Sequence, residues 1–383
     1  MVSELISQRS WATEAGTQRF VQRHGHDKAA DAYATMYQLR LSSVGMGTYL
    51  GPPTDETDAD YVAALVDGVR RGINVIDTAG NYRCQRGERV VGQAIRELIA
   101  SGEVWRSELF ISSKAGFVPF DGQPPVDTQA WVHSRTVARG LATPDEVVAG
   151  CHCLSPAYLR AAIDQSLENL GLETLDVMFL HNPEAQLQYI DRETFDDRLR
   201  AAFMVLEEAV TAGKIRAYGL ATWTGLRALP EERDHVSIER AVEIAREVAG
   251  LRHKMLALQL PVNLAMPEAL TRANQLLRGR LLPALEVAEY FGLVTLASGA
   301  LWQGKLGNQT PRHVPVLDGA RGPVEHALQF ARSAQAVTSA LVGTRTVAHV
   351  SQNAGLLKQK KAPREWLDAI VARGREECPV AHS

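Results

Sequence analysis

The sequence predicts an α/β fold of the (β/α)8 TIM-barrel type, with a polar N-terminal extension and a long lid-like loop after the third strand. Short apolar runs of β-type composition alternate with longer helical patterns up to residue 362. Eight such runs occur. Ionisable side chains gather at the C-terminal ends of several of them, the face on which barrel enzymes keep their chemistry.

The strand candidates, in order, are residues 42–48, 73–79, 109–114, 175–181, 215–222, 255–262, 293–298 and 336–342. Between them, residues 59–71, 88–100, 156–170, 194–212 and 238–248 carry apolar side chains at three- and four-residue steps, as helices covering a sheet should. Gly72, Gly171, Gly213 and Gly292 each stand between a helical segment and the next strand, where a helix C-cap favours glycine. A short helix is expected over 28–39, and a longer helical region over 267–291. The domain plan is an extension over 1–38, a barrel over 39–362 with an insert at 115–154, and a C-terminal helix and tail over 363–383. The insert leaves the C-terminal end of a strand and is expected to lie over the pocket.

An open doubly wound sheet would bind a dinucleotide through a glycine-rich turn after its first strand. Here that turn reads Gly45, Met46, Gly47, Thr48 and lacks the third glycine of that fingerprint.

The chain's 383 residues, 45% hydrophobic and 22% charged, can bury a large core. Lys and Arg number 41 against 44 Asp and Glu, for a net charge of −3, so no global field favours nucleic acid or an anionic membrane. The four cysteines, Cys84, Cys151, Cys153 and Cys378, are too few and too irregularly spaced for a disulfide framework, which points to a reducing cytoplasm. No secretory apolar segment opens the chain, and no apolar run approaches the ~20 residues that span a bilayer. Oligomeric state and substrate identity are not legible at this level.

Asp77 and Tyr82 lie in IDTAGNY, Lys114 closes ISSK and His181 lies in FLHNPE. A free phenol titrates near ~10, so proton donation at neutral pH calls for stabilisation of the phenolate. Lys114 can supply that charge, Asp77 can orient the lysine, and His181 can bond to a substrate oxygen. Singly, an Asp caps turns, a Lys snorkels to solvent and a Tyr packs. Together, at successive strand ends, they form a reaction centre. Glu184, just beyond His181, is either a rim group or a solvated loop residue. The Cys151-His152-Cys153 step lacks a second ligand pair for zinc, so packing in the insert is the expected role and no metal is expected.

The sequence resembles the aldo-keto reductase family. The resemblance rests on Gly45, Gly47 and Thr48 at the first strand, DTAxxY from Asp77 to Tyr82, Glu88 before VVGQAI, and Lys114. It continues through DVMFLHNP, GKIRAYGL, LQLPVN and GTRTVAHVSQN, covering about residues 39 to 357. It implies Tyr82 as general acid, Lys114 lowering its pKa, Asp77 paired with Lys114, and His181 orienting a carbonyl. It also implies NADPH, with hydride passing from the nicotinamide to the carbonyl carbon of a small-molecule substrate.

After the last strand, Gly343 and Thr344 can bring N–H groups and a hydroxyl to an anion, and Arg345 can pair with a 2′-phosphate. By resemblance, Gln352 and Asn353 meet the adenine side, Gln259 the nicotinamide carboxamide, and Ser298 with Leu301 the pyrophosphate. Gly47, Thr48, Asp77, Thr222, Trp223, Gly304 and His349 complete the expected cofactor set. The family's frequent Ser-Asn pair after the fifth strand reads Ala221-Thr222 here, followed by Trp223 as a substitute stacking surface, and its stacking aromatic is Ala297. Two other functions remain open: isomerase or lyase chemistry on the same Tyr82/Lys114 pair, and a non-catalytic subunit that senses cofactor.

Overall fold

The computed structural model describes residues 11–377 apart from His313. Helix α1 (Glu14–His24) is followed by an antiparallel hairpin of β1 (Tyr33–Met36) and β2 (Leu39–Ser42). The helix expected over 28–39 is therefore replaced by strands. Tyr37 and Gln38 take left-handed backbone conformations, φ 48° and 68°, and reverse the chain between them. Leu41 packs with Val75, Phe110, Val177 and Phe179 inside the barrel, so the hairpin closes its lower end.

Strand β3 (Val44–Gly47) opens the barrel, followed by α2 (Asp55–Arg70), β4 (Val75–Asp77), α3 (Arg86–Ala100) and β5 (Phe110–Ala115). Thr54 caps α2, its hydroxyl accepting from the Thr57 N–H, which starts that helix ahead of the expected 59. The insert after β5 holds helix α4 (Thr128–Arg135) and a short pair of strands, β6 (Val147–Val148) and β7 (His152–Cys153), rather than an irregular loop.

The chain continues through α5 (Pro156–Leu170), β8 (Leu175–His181), α6 (Arg192–Thr211), β9 (Ile215–Ala221), α7 (Ile238–Ala249) and β10 (Met255–Pro261). Ser155 and Pro156 start α5 as hydroxyl cap and first-turn proline, and Gly171 ends it at φ 64°. The expected helical region at 267–291 is broken. It holds α8 (Glu268–Thr271), a hairpin of β11 (Gln275–Leu277) and β12 (Arg280–Leu282), and α9 (Ala284–Tyr290). The turn at Arg278 (φ 50°) and Gly279 (φ 79°) interrupts the helical pattern.

Strand β13 (Val294–Ser298), α10 (Pro323–Ser333), β14 (Ser339–Gly343), α11 (Val347–Gly355) and α12 (Arg364–Glu377) complete the chain. The last barrel strand starts later than residue 336 because Ala336 is left-handed at φ 64°. The parallel strands close in the order β3-β4-β5-β8-β9-β10-β13-β14, with β14 back against β3.

The pleat divides the core. Along β8, Val177 and Phe179 point into the barrel while Met178 and Leu180 meet the helices. All seven β8 residues are buried, which is why residues 177–180 read as an unbroken apolar run between Asp176 and His181. Among the described residues, no helix is long and apolar enough to cross a membrane.

Candidate active site

Asp77 ends β4, and its pairing opposite Ser112 of β5 brings the Lys114 side chain within reach. The Lys114 Nζ donates to Asp77 Oδ2 at 2.5 Å and to the Thr78 carbonyl at 2.8 Å. Asp77 Oδ1 accepts from Ser112 Oγ at 2.7 Å and from Gln259 Nε2, on β10, at 2.9 Å. Both charged groups are buried, so each depends on the other and on these added bonds for its stability.

Tyr82 follows in the loop after β4, and Lys114 Nζ lies 4.6 Å from the centre of its ring. Although that ring is only partly covered, burial around the hydroxyl pushes the phenol pKa up. The Lys114 charge pulls it down, and the net direction is upward. Lowering by Lys114, expected from the sequence, is thus present but outweighed by burial. Tyr82 rests as a neutral phenol with its proton in place. Burial likewise pushes the Lys114 ammonium down, yet Asp77 and Tyr82 more than offset this and its pKa rises.

His181, at the end of β8, stands edge-on to Tyr82, with ring centres 5.8 Å apart, and to Phe117, at 5.1 Å. Burial, then Lys114 and His152, hold its pKa well below the ordinary histidine value, so the imidazole is neutral. Its Nδ1 is buried with no hydrogen-bond partner among the described residues, which leaves Nε2 as the nitrogen open to a ligand.

A cavity of about 680 Å³ runs from Tyr82 and Asp77 across the strand ends to α11. Its floor includes Gly47 and Gly343, which sit opposite each other where β3 meets β14. Arg345 stands at its far end with no carboxylate partner among the described residues. Thr346 caps α11, its hydroxyl accepting from the His349 N–H at 3.3 Å. Asn353 Nδ2 donates to Thr344 Oγ1 at 2.9 Å, tying the helix to the end of β14.

With this geometry established, comparison with known proteins gives a family. The aldo/keto reductase family model matches residues 43–240, just over half of the chain and the stretch that holds all four reaction-centre residues. The chain belongs to the aldo/keto reductase family.

This family of oxidoreductases includes the 6-dehydroglucose reductase of Novosphingobium aromaticivorans, 24% identical to this chain over 89% of its length and 94% of the relative's. An NADH-specific methylglyoxal reductase of Escherichia coli is 27% identical over 48% of this chain and 49% of its own length. Among solved structures, the glycerol dehydrogenase of Gluconobacter oxydans superimposes with a TM-score of 0.62 at 20% identity, covering 93% of this chain and 98% of that one. An aldo/keto reductase of Klebsiella pneumoniae in complex with NADP and acetate gives 0.58 at 19% identity, with the same coverage. These likenesses establish the barrel fold.

In this aldo/keto reductase, Gly47, Asp77, Gln259, Ser298, Leu301, Gly304, Gly343, Thr344, Arg345, His349, Gln352 and Asn353 line this same cavity, as does Tyr82. Thr48, Thr222 and Trp223, expected with them, do not. Thr48 Oγ1 is bonded to Thr78 Oγ1 at 2.8 Å in the core, and Thr222 Oγ1 accepts from the Leu226 N–H at 3.4 Å. Trp223 is partly exposed, with its ring edge against Gly299 and its N–H donated to Glu184 Oε1 at 2.7 Å.

Glu184 is buried rather than solvated. The same oxygen also accepts from the Thr224 and Gly225 N–H groups, fixing the loop after β9. Several lining residues escaped the sequence reading. Tyr49 packs edge-on to Tyr82 with ring centres 5.0 Å apart, and its place just after Gly47-Thr48 at a strand end was the available signal. Gln303, Asn308 and Thr346 also line the cavity, from segments without a recognisable pattern.

Proposed function

We propose that this reductase converts an aldehyde or ketone to the alcohol with NADPH as hydride donor and Tyr82 as general acid. The observation that carries the reading is the buried Asp77–Lys114 pair set beneath the Tyr82 ring at one end of the cavity.

The residues present fit the dinucleotide. Arg345, without a carboxylate partner among the described residues and beside Thr344 and the start of α11, suits a phosphate through charge and helix N-terminal amides. Gly299 (φ 62°), in the turn that follows β13, lets that backbone fold towards a pyrophosphate. Gln259, anchored to Asp77 through its Nε2, keeps its carbonyl oxygen for a carboxamide N–H. Bound there, a reduced nicotinamide would supply the hydride for the substrate's carbonyl carbon.

The protein's part is protonation and alignment. His181, neutral, donates from Nε2 to the carbonyl oxygen and holds it next to Tyr82. As negative charge grows on that oxygen, the Tyr82 proton moves to it, leaving a phenolate stabilised by the Lys114 ammonium. Asp77 keeps the lysine charged and in place through the step, and the phenolate regains its proton from solvent.

Purified protein mixed with NADPH and a panel of carbonyl compounds tests this by the loss of reduced-nicotinamide absorbance. Turnover abolished by Tyr82→Phe with cofactor binding retained is the expected result. Failure of every substrate together with failure to bind NADPH would overturn it.

A further inference from the structure

The insert after β5 returns to the reaction centre through one buried side chain. His152, on β7, is fully buried, with Nε2 2.8 Å from the main-chain carbonyl oxygen of His181 and Nδ1 2.8 Å from Gln186 Nε2. Gln186 Oε1 is bonded in turn to Arg198 Nη1. Elimination sets each role. A guanidinium only donates, so Gln186 Oε1 accepts and its amide nitrogen donates to His152 Nδ1. This leaves the His152 Nε2–H to donate to His181. A neutral imidazole satisfies both ring nitrogens of His152 in the chain from Arg198 through Gln186 to the His181 carbonyl.

Two further features point the same way. Gly116 has φ 152°, and a Cβ there would stand 2.8 Å from the His181 carbonyl oxygen and 3.0 Å from His152 Nε2, so only glycine admits the contact. Phe117 lies edge-on to both imidazoles, 4.9 Å from His152 and 5.1 Å from His181. Among the described residues the His181 ring has no polar anchor at Nδ1, and the next residue, Asn182, turns the chain away at φ 47°. The ring's direction therefore depends on what holds the backbone at His181 and on what packs beside it.

We propose that His152 is a positioning residue: through its bond to the His181 carbonyl, and with Phe117 wedged between the two rings, it fixes where the His181 imidazole points. The catalytic consequence rests on the carbonyl-reductase reading, whereas the placement of the ring does not. His152 touches neither substrate nor cofactor and acts only through its neighbour. The Cys-His-Cys step thus belongs to the support of the reaction centre.

The test compares His152→Phe, which keeps the aromatic packing and loses both bonds, with His152→Gln, which returns an N–H donor on a chain of similar reach. Three quantities are read: kcat with a carbonyl substrate, the NADPH dissociation constant, and the His181 ring signals in 15N-histidine NMR spectra. The expected result for H152F is a kcat lower by about 10- to 100-fold, as small misplacements of reacting groups produce, with NADPH affinity unchanged and His181 signals shifted. H152Q should recover most of both. Wild-type kcat with unshifted His181 signals in H152F would overturn the proposal, as would equal losses of kcat in H152F and H152Q. If the wild-type chain reduces no carbonyl, the functional reading fails, and the His181 signals alone decide the positioning role. If H152F does not fold, Gln186→Met, which frees Nδ1 and leaves His152 in place, is read by the same signals.

Discussion

The ammonium nitrogen of Lys114 lies 4.6 Å from the centre of the Tyr82 ring while it is bonded to Asp77 at 2.5 Å. One cation thus serves two ends, neutralising a buried carboxylate and waiting for a phenolate. Lys114→Met removes both services. It should lower carbonyl reduction by about 10²- to 10⁴-fold, the range of a lost acid–base contribution. It should also cost about 3 kcal/mol of stability by leaving Asp77 charged and buried. Adding Asp77→Asn to K114M should restore most of the stability and none of the activity. Urea unfolding and steady-state rates on the three proteins check this, and a K114M protein as stable as wild type would refute the pairing.

At the other end of the cavity, Arg345 has no carboxylate partner among the described residues, and it stands beside Thr344 and the start of α11. Arg345→Ala should weaken NADPH binding by about 1.5–3 kcal/mol, the worth of hydrogen bonds to a charged group, or roughly 10- to 100-fold. NADH lacks the 2′-phosphate and should lose much less. Fluorescence titration with both nucleotides distinguishes the cases. Equal weakening would mean that Arg345 does not meet that phosphate.

The reaction centre was legible because Asp77, Lys114 and His181 each stand at or next to the C-terminal end of a β-type run, a pattern that survives without coordinates. Elements fixed by distant partners were not. Residues 28–39 fit a helical pattern, but Leu41 fills the barrel's lower end and the Ser42 N–H bonds to Asn74 Oδ1 at 2.8 Å, so tertiary contacts impose the hairpin. His152 read as packing in the insert and Ser112 as an ordinary polar residue, since the bond each makes is to a partner on another element. Thr48 and Thr222 sit beside the expected strand ends, yet their hydroxyls turn to internal bonds, a choice that sequence position does not reveal.

At the barrel's opposite end a second buried pair has a purely structural role. Asp176 accepts from Arg106 at 2.7 Å, from the Ile111 N–H at 2.8 Å and from the Ala12 N–H at 2.6 Å, joining β8, β5 and the segment before α1. Asp176→Leu leaves the Arg106 cation and two amides buried without this acceptor. It should cost about 3–5 kcal/mol, as breaking a buried pair does. Asp176 lies away from the cavity, so kcat for the folded fraction should be unchanged. Urea midpoints and rates per folded molecule check both halves, and a large fall in kcat at full folding would contradict the assignment.

Acid should loosen the structure over a window set by its buried histidines. Burial lowers the His152 pKa from 6.5 to about 4. In the unfolded chain this histidine takes up a proton as pH falls through 6.5, whereas in the fold it stays neutral down to about 4, where its Nδ1 is still needed as acceptor from Gln186. The unfolded state therefore binds more protons between those values, and linkage makes stability fall as pH drops across that window, then level off below it. Between pH 7 and pH 4.5 the His152 share is on the order of 2 kcal/mol. His152→Gln has nothing to titrate there, so its stability should fall by less than that of the wild-type chain over the same interval. Urea unfolding of both proteins at the two pH values measures the difference. Equal slopes would mean that His152 is already charged in the fold, with its bond from Gln186 broken.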